Sequence, residues 1–431
     1  MAVVDRMMTG EGRVRPGPGR ALLVTSLRRR GMTGVQTHLA EAEQLLQQRY
    51  QHVDVVSLDT LLPPRAAVLV LLAHVLSRVP LRAASFLRLR LVGRALDLAT
   101  AREVRRHRPE VVYAQDTRSA GAALAARRHR SDYAVVMVVH FNESESSELV
   151  GLGTLRPNSR AHRALWAYET DVLRRLDGIV FVSEYMRRHV LEEVPEARSV
   201  PHTTLRNVLA RTTPPPSLPV TGDLVSVGML VGRKNHAYLL DVLAAARSQG
   251  RDHRLTIVGA GPDHRALLEH ARDVGVEDLV TFTGRRSDVD AVLRGHRVYV
   301  HSATLDNAPY AVIEAFRAGL PVVSSAVGGI PEVVGDTGAG RFWPLDDPEE
   351  GAAVLARLLD DPQALAAASE AAARRFATVY DEDVAGDWLG DFLHRVAGDR
   401  ARDRDRTRDR AGDRAGDRDR DQRPRRADRA A

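Results

Sequence analysis

The chain of 431 residues contains no cysteine, and only 5% of its residues are aromatic. The absence of cysteine excludes disulfide frameworks, zinc–thiolate sites and cysteine nucleophiles, and it is compatible with the cytoplasm, where thiols stay reduced. Hydrophobic residues make up 44% of the chain. This content, spread over so long a chain, predicts a globular protein with two domains of ordinary size, each with its own core.

Long apolar runs are also missing. Residues 1–20 contain no apolar stretch of signal-peptide length, and the longest apolar stretch, residues 66–79, is interrupted by His74 and Arg78. That stretch is shorter than the roughly 20 residues that a membrane-spanning helix requires. We therefore expect neither secretion nor a membrane-spanning helix.

An excess of positive charge is confined to the two ends of the chain. The formal charge is +6; residues 1–20 hold four Arg against one Asp and one Glu, and residues 399–431 hold 13 Arg against nine Asp, so the body between them is neutral. Because the C-terminal charges alternate in sign, we do not expect specific nucleic-acid binding. That segment has no apolar residue larger than Ala or Pro and is expected to be a disordered tail.

Apolar strands alternate with helical patterns in two series along the chain. The segment TTPPPSLP between the series excludes both helix and central strand. The alternation predicts an α/β protein with two Rossmann-like, doubly wound domains. The expected segments are a disordered N-terminal segment (1–19), an N-terminal domain (20–211), a Pro-rich linker (212–220), a C-terminal domain (221–380), a C-terminal helix (381–397) and the tail (398–431).

Residues 301–334 form the most informative stretch. Asp306 and Glu314 lie on either side of Pro309, which is expected to open a helix, and Gly328 and Gly329 follow. Ligands of open α/β sheets bind at the carboxyl ends of strands, where a helix amino end offers N–H groups to a diphosphate. Carboxylates accept hydrogen bonds from sugar and ribose hydroxyls. The pattern indicates a nucleotide-sugar site, or else an ordinary strand–helix–strand unit with a surface acid.

Further motifs in the second half have a familiar order and spacing. They are VSVGMLVGRKN (225–235), LTIVGAGP (255–262), VTFTG (280–284), GLPVV (319–323) and GGIPEVV (328–334). Together they resemble the retaining GT-B glycosyltransferases of group 1, or family 4, over roughly residues 20–395. The family has a Glu, seven residues and a second Glu where this chain has Asp306 and Glu314. It usually has an Arg where this chain has Met229.

The resemblance implies a GT-B architecture, in which the two domains face a cleft and the C-terminal helix can return to the N-terminal domain. It also implies transfer of a hexose-type sugar from a nucleotide diphosphate sugar to a hydroxyl acceptor, with retention. Polysaccharide precursors, glycolipids and wall polymers are the acceptor classes expected. Because Asp306 and Met229 depart from the family pattern, a degenerate nucleotide-sugar-binding protein stays an alternative, as does a nucleotide-sugar epimerase of similar architecture.

The resemblance also assigns roles to residues of the second domain. Lys234 would neutralise the donor diphosphate and stabilise the charge on the leaving group, assisted by Arg233, so that no metal or other cofactor is required. Asp306 would contact the transferred sugar, and Glu314 the ribose hydroxyls. The other expected donor-binding residues of this domain are Gly259, Gly261, Asn307, Ala308, Pro309 and Tyr310, and the first domain adds Gly34. Gly259 and Gly261 serve either the donor or a tight turn.

The first domain supplies the acceptor side. His140 ends the apolar strand AVVMVVH and, by resemblance, lies near the transferred sugar, so that it joins Asp306 and Lys234 as a catalytic candidate. His38, on the helix after Gly31 and Gly34, is a weaker candidate. The acids that follow His140 either select a hydroxyl-rich acceptor or, as we favour, keep a mobile loop solvated; they are Glu143, Glu145 and Glu148.

The segment 61–108 has ten Arg against two acids, threaded through an apolar sequence. Basic amphipathic helices can lie on an anionic membrane and present a lipid-linked acceptor to an enzyme. The equally weighted alternative is a pair of core-facing helices with Arg on the side exposed to water. The expected location is therefore the cytoplasm, either free or at the inner face of a membrane.

Overall fold

The computed structural model describes residues 17–31, 33–60, 63–76, 82–151, 153–212, 221–385 and 388–421. The N-terminal domain contains the strands β1 (Gly17–Val24), β2 (Tyr50–Val56), β3 (Val111–Ala114), β4 (Ala134–Val139), β5 (Gly178–Phe181) and β6 (His202–Thr204). They form one sheet in the order β2-β1-β3-β4-β5-β6, in which all neighbouring strands are parallel. The strand order reverses at β1, so β1 and β3 form the switch point of this sheet.

Helices cover both faces of this sheet. They are α1 (Gly34–Arg49), α2 (Pro64–Leu76), α3 (Arg82–His107), α4 (Thr117–Ala126), α5 (Glu145–Gly151), α6 (Arg160–Arg175) and α7 (Glu184–Glu193), with a short 3-10 helix at Pro195–Ser199. Alternate residues of β1 serve the two faces: Leu22 and Val24 belong to one buried cluster, and Ala21 and Leu23 to the other. Strands buried on both faces are typical of parallel sheets.

The C-terminal domain repeats this plan. Its strands are β7 (Leu224–Val227), β8 (Leu255–Val258), β9 (Val280–Gly284), β10 (Val298–His301), β11 (Val322–Ser325) and β12 (Gly340–Trp343). The sheet is parallel, with the order β12-β11-β10-β7-β8-β9. Its order reverses at β7, so the loops after β7 and β10 lie side by side at the switch point, where ligands of such sheets bind.

The helices of the second half begin at polar caps or prolines. Asp347 and Asp361 cap two of them, each followed by proline at the first helical position. The helices are α8 (His236–Ser248), α9 (His264–Asp273), α10 (Val289–Arg294), α11 (Tyr310–Arg317), α12 (Ile330–Val334), α13 (Pro348–Leu359), α14 (Pro362–Arg375), α15 (Glu382–Ala385) and α16 (Trp388–Asp421), with a 3-10 helix at Gly232–Lys234 and a π-helical turn at Phe376–Tyr380.

The predicted fold class is confirmed: both domains are doubly wound α/β units. The last helix, α16, packs against the N-terminal sheet. Its buried residues Leu389, Phe392 and Leu393 join the cluster that contains Ala21 and Leu23. Arg49 of α1 forms an ion pair with Asp391 on the same helix. The chain thus crosses back to its first domain after completing the second.

Two expected boundaries differ in the structure. β1 begins at Gly17, before the expected domain start, and α16 continues to Asp421, into the expected tail. At the start of this extension Arg402 pairs with Asp399 at 2.5 Å, and Arg400 lies 3.5 Å from Asp177 of the N-terminal domain. Arg and Asp three or four residues apart stabilise a helix, an effect that composition alone does not show. Residues 1–16, 213–220 and 422–431 lie outside the described part of the chain.

Candidate active site

Lys234 and Asp306 meet at the switch point of the C-terminal sheet. Lys234 ends the 3-10 helix in the loop after β7, and Asp306 lies in the loop after β10. The Lys234 ammonium forms an ion pair with Oδ2 of Asp306, and both side chains are largely buried. Two residues that the sequence analysis assigned to diphosphate and sugar are therefore bonded to each other in the structure.

The surroundings of Asp306 keep its carboxylate ionised. Nε2 of His301 lies 3.1 Å from Oδ2, and the backbone N–H of Asn307 donates to Oδ1 at 3.1 Å. Burial by itself would raise the pKa of Asp306, but the attraction of Lys234 and the His301 hydrogen bond outweigh it and hold that pKa well below its ordinary value. The site therefore contains a buried, ionised carboxylate with a buried cation beside it.

The loop after Asp306 is bound to the N-terminal domain. The Asn307 side chain contacts the Ser183 hydroxyl and donates to the Phe141 carbonyl at 3.4 Å. The Ala308 carbonyl accepts from Nδ2 of Asn207 at 2.9 Å. The backbone N–H of Asn307 donates to Asp306 in this structure, and contact of Asn307 with a donor stays a prediction.

The amino end of α11 carries the remaining residues expected at the diphosphate. Pro309 is the N-cap of α11, so the helix starts at Tyr310, one residue later than expected. The Tyr310 hydroxyl lies 3.4 Å from Nδ1 of His38, across the domain boundary. A Cβ atom on Gly34, the first residue of α1, would lie 3.3 Å from the Tyr310 ring. Gly34 and Tyr310 are therefore neighbours, as a shared donor site requires.

Glycines hold the loops of this region close together. A Cβ atom on Gly328 would lie 2.1 Å from the Asp306 carbonyl oxygen, and Gly328 has a positive φ of 58°. A Cβ atom on Gly259, whose φ is 152°, would lie 1.8 Å from the Gly228 carbonyl oxygen, and one on Gly261 would lie 2.1 Å from that of Leu230. These glycines meet a packing requirement, because any side chain there would push the loops apart. Contact of Gly259 and Gly261 with a donor stays a prediction.

Glu314 and Arg233 differ in their surroundings. Glu314, on α11, is partly buried, and among the described residues no donor is hydrogen-bonded to its carboxylate. Burial raises the pKa of Glu314, Arg317 lowers it and Asp290 raises it further. The Arg233 side chain is exposed, next to Lys234 in the chain. Glu314 thus keeps acceptor capacity for hydroxyl groups, and Arg233 can approach a ligand from solvent.

Two histidines of the N-terminal domain lie together. The rings of His38 and His140 are 4.5 Å apart. Nε2 of His38 is 3.0 Å from the Tyr113 hydroxyl, and Nε2 of His140 is 3.3 Å from Oε1 of Gln115. Burial lowers the pKa of His38 to about 4, and burial together with His38 lowers the pKa of His140 well below its ordinary value. Both rings are neutral at pH 7 and act through hydrogen bonds, without charge.

The acids after His140 are not a uniformly solvated loop, contrary to the alternative we favoured. Glu143 is exposed, but Glu145 accepts the backbone N–H of Thr117 at 2.5 Å. Glu148 accepts the backbone N–H and the side-chain amide of Asn142 at 3.2 and 2.9 Å. Burial and Asp116 raise the pKa of Glu145 to about 7. Glu145 and Glu148 fix the loop to the N-terminal domain.

Sequence reasoning did not single out three residues of this region. Glu332 of the GGIPEVV motif accepts the backbone N–H groups of Glu184 and Tyr185, at 2.7 and 2.5 Å, and so caps α7 of the other domain. Ser183 holds Asn307. Glu332 lies in the quoted motif GGIPEVV, but only the fold brings this motif to the amino end of α7. His301 is the last residue of β10 and His140 directly follows β4, and this similar position at a strand end was the signal available.

Comparison with known proteins agrees with this geometry. Residues 32–201 match Glycosyltransferase Family 4, and residues 221–375 match Glycosyl transferases group 1. The chain is a glycosyltransferase of the GT-B fold. A GDP-mannose-dependent alpha-(1-6)-phosphatidylinositol monomannoside mannosyltransferase of Mycobacterium tuberculosis (strain CDC 1551 / Oshkosh) is 27% identical over 274 residues, which is 57% of this chain and 71% of the relative.

Solved structures share the fold of this glycosyltransferase. Sucrose-phosphate synthase from Thermosynechococcus elongatus superposes with a TM-score of 0.64 at 16% identity, over 88% of this chain and 99% of the other. The structure of Anabaena HepE in complex with UDP and glucose gives a TM-score of 0.61 at 16% identity, over 88% of this chain and all of the other. At such low identity these likenesses show the architecture alone.

Proposed function

We propose that this glycosyltransferase moves a hexose-type sugar from a nucleotide diphosphate sugar to a hydroxyl group of its acceptor, with retention. The observation that carries the proposal is the buried ion pair of Lys234 and Asp306 where β7 and β10 end. A cation for phosphate and a carboxylate for sugar hydroxyls are the groups that recognise the two ends of such a donor. The mycobacterial relative is, by its name, GDP-mannose-dependent, which supports a nucleotide sugar as the donor.

In the proposed reaction Lys234 leaves Asp306 and binds the diphosphate. A cation placed where negative charge develops stabilises the departing nucleoside diphosphate, so the proposal includes no metal or other cofactor. The freed carboxylate of Asp306 accepts a hydroxyl of the sugar, and Glu314 accepts the ribose hydroxyls. His140 offers hydrogen bonds to the sugar as a neutral ring. The departing diphosphate then takes the acceptor proton on the same face of the sugar.

A donor panel tests the proposal. Because a ligand that binds the folded state raises apparent stability by mass action, UDP-, GDP- and ADP-sugars are compared by thermal shift against the free nucleosides. The preferred donor is then incubated with candidate hydroxyl acceptors, and the products are identified by mass spectrometry. Glycosylated product supports the proposal. Conversion of the donor to an isomer without transfer, or the absence of any selective shift, overturns it.

We further propose that the acceptor is lipid-linked and that the enzyme meets it at the cytoplasmic, anionic face of a membrane. The name of the mycobacterial relative includes a phosphatidylinositol monomannoside, which supports a lipid acceptor. In the described part of the chain no helix combines the length and the apolar character needed to cross a bilayer. The contact proposed is therefore one at the membrane surface.

Helix α2 presents an apolar stripe to solvent. Val68, Leu71, Leu72 and Val75 are 56%, 63%, 48% and 52% exposed and follow the i, i+3, i+4, i+7 spacing of one helix face. The helix buries Ala66 and Ala73 instead. The alternative of two core-facing helices therefore does not describe α2. The neighbouring helix α3 adds exposed Arg88, Arg90 and Arg94, which suit anionic headgroups.

Replacing Arg88, Arg90 and Arg94 together by Gln is expected to weaken binding to anionic vesicles by about 100-fold at low salt. Each cation near such a surface contributes about 1 kcal/mol. The difference from the wild type should shrink as added salt screens the attraction. Vesicle sedimentation measures this effect. The matched control replaces Arg265, Arg341 and Arg357, which are exposed on the C-terminal domain, and should bind vesicles like the wild type. Wild-type protein that stays in the supernatant would contradict the membrane proposal.

A further inference from the structure

Behind the Lys234–Asp306 pair lies a row of buried polar groups. His301, at the end of β10, is 3% exposed and places Nε2 3.1 Å from Oδ2 of Asp306. Its other nitrogen, Nδ1, is 3.3 Å from the hydroxyl of Tyr299. That hydroxyl is also 3.2 Å from the Val227 carbonyl oxygen. The row therefore runs from a backbone carbonyl through Tyr299 and His301 to the carboxylate.

The row lacks one proton when His301 is neutral. The Asp306 carboxylate and the Val227 carbonyl only accept hydrogen bonds, Tyr299 has one hydroxyl proton, and a neutral imidazole has one N–H. Those two protons cannot satisfy three contacts. With His301 neutral and donating to Asp306, the Tyr299 hydroxyl donates either to Nδ1 or to the Val227 carbonyl, so one of these two contacts is not a hydrogen bond. With His301 doubly protonated, all three contacts are hydrogen bonds. The row thus has two states that differ by one proton.

The charges that face His301 decide between these states. The negative charge of Asp306 favours a second proton on His301. The positive charges of Lys234 and Arg233 oppose it, as would a charge on the neighbouring His236. Burial and Lys234 lower the pKa of His236 to about 3, so that ring adds no charge at pH 7. Burial, Lys234 and Arg233 together lower the pKa of His301 more than Asp306 raises it. In the protein without donor, the positive charge of Lys234 neutralises the carboxylate of Asp306, and His301 stays neutral.

A bound donor changes this balance. In the proposed function Lys234 moves to the diphosphate, which itself neutralises the ammonium. Asp306 is then left as a buried carboxylate without its cation, which is costly unless another positive charge takes over. His301 already touches Oδ2 and needs no movement to supply that charge. A proton on Nδ1 would be accepted by Tyr299, whose own proton would turn to the Val227 carbonyl.

We propose that His301 is a positioning residue, which holds Asp306 in place during transfer and takes up one proton from solvent when the donor diphosphate draws Lys234 away. This inference rests on the proposed function and deepens it. Binding of a nucleotide sugar is then coupled to protonation. The donor affinity should consequently fall as the pH rises, by up to tenfold per pH unit over the range in which His301 is neutral in the free protein and protonated in the complex.

Titration calorimetry tests the coupling. The probe is the UDP- or GDP-sugar selected by the donor panel, because its diphosphate is a diester that holds no proton titrating near neutrality. Titrations at pH 7 in two buffers of different ionisation enthalpy give the number of protons bound. We expect uptake approaching one proton for the wild type and close to none for His301→Gln, which can donate to Asp306 but cannot carry the charge. Tyr299→Phe should reduce the uptake, because it removes the acceptor at Nδ1.

Steady-state kinetics separate positioning from protonation. His301→Leu cannot donate to Asp306 and should lower kcat by about tenfold or more with a smaller change in KM, since a hydrogen bond to a charged group is lost. His301→Gln keeps the hydrogen bond to Asp306 but not the charge, so its kcat should fall less than that of His301→Leu, and its donor affinity should vary less with pH than that of the wild type. Donor binding without proton uptake in the wild type, or equal uptake in wild type and His301→Gln, overturns this inference and leaves the proposed function standing. Failure of any nucleotide sugar to bind overturns the proposed function instead.

Discussion

Replacing Lys234 by methionine is expected to slow glycosyl transfer by about 30- to 1,000-fold. Loss of one well-placed donor to a developing negative charge typically removes about 2.7 to 4 kcal/mol of transition-state stabilisation. A hydrogen bond to a charged group contributes about 1.5 to 3 kcal/mol, which sets the lower end of the expected range. Methionine is similar to lysine in volume but has neither the charge nor the N–H donors of the ammonium. The measurement is kcat with saturating donor, at a pH where the variant stays folded.

The same substitution will also lower stability, because Lys234 is the partner of a buried carboxylate. Removing one partner of such a pair costs on the order of 3 kcal/mol. The pKa of Asp306 is depressed in the folded state. Its contribution to stability is therefore present above the unfolded pKa of about 4 and lost as the pH falls through the folded value. The loss in the Lys234 variant should accordingly be visible at neutral pH.

The variant Lys234→Met/Asp306→Asn separates the two effects. It removes the unpaired charge, so its melting temperature should recover toward that of the wild type, whereas its turnover should stay low. Stability and catalysis would then have been measured independently. A folded Lys234→Met enzyme with undiminished turnover would show that a different cation, such as Arg233, binds the phosphates.

The central strands could be predicted from the sequence, and three of the four edge strands could not. β3 and β4 are buried along their whole length and read as continuous apolar runs. β2, β6 and β12 lie at the edges of the two sheets, where one side of the strand is uncovered. Their residues are only partly buried and carry polar side chains, as in YQHVDVV. These three strands lack a continuous apolar pattern, and the sequence analysis does not identify them, whereas the fourth edge strand, β9, lies in the quoted motif VTFTG.

The general position of the site could also be predicted. Loops that follow parallel strands gather at one edge of a sheet, so motifs after β7 and β10 had to be neighbours once the fold class was known. The contacts within the site depend on side-chain positions that no motif shows. Lys234 and Asp306 were expected to bind a ligand, and they bind each other. The packing role of Gly259 likewise depends on the approach of a second loop.

Glu314 keeps the acceptor capacity of both its carboxylate oxygens for a ligand. Among the described residues its carboxylate accepts no hydrogen bond, although it is partly buried next to Arg317. Two vicinal ribose hydroxyls can donate to one carboxylate, and a hydrogen bond to a charged group contributes about 1.5 to 3 kcal/mol. Since burial raises the pKa of Glu314, the acceptor should be lost at a higher pH than for an ordinary glutamate, and donor affinity should fall as the pH decreases below neutrality.

Glu314→Ala is expected to weaken binding of the nucleotide sugar by about 100-fold or more without unfolding the protein, since the side chain is only partly buried. Calorimetry with the donor and with its 2′-deoxyribose analogue measures the effect. The wild type should prefer the ribose donor, and the variant should bind both donors alike. Glu314→Gln, which keeps the volume and one acceptor oxygen, should retain part of the preference. Wild-type donor affinity in a folded Glu314→Ala protein, or an undiminished ribose preference, would assign the ribose hydroxyls to another group.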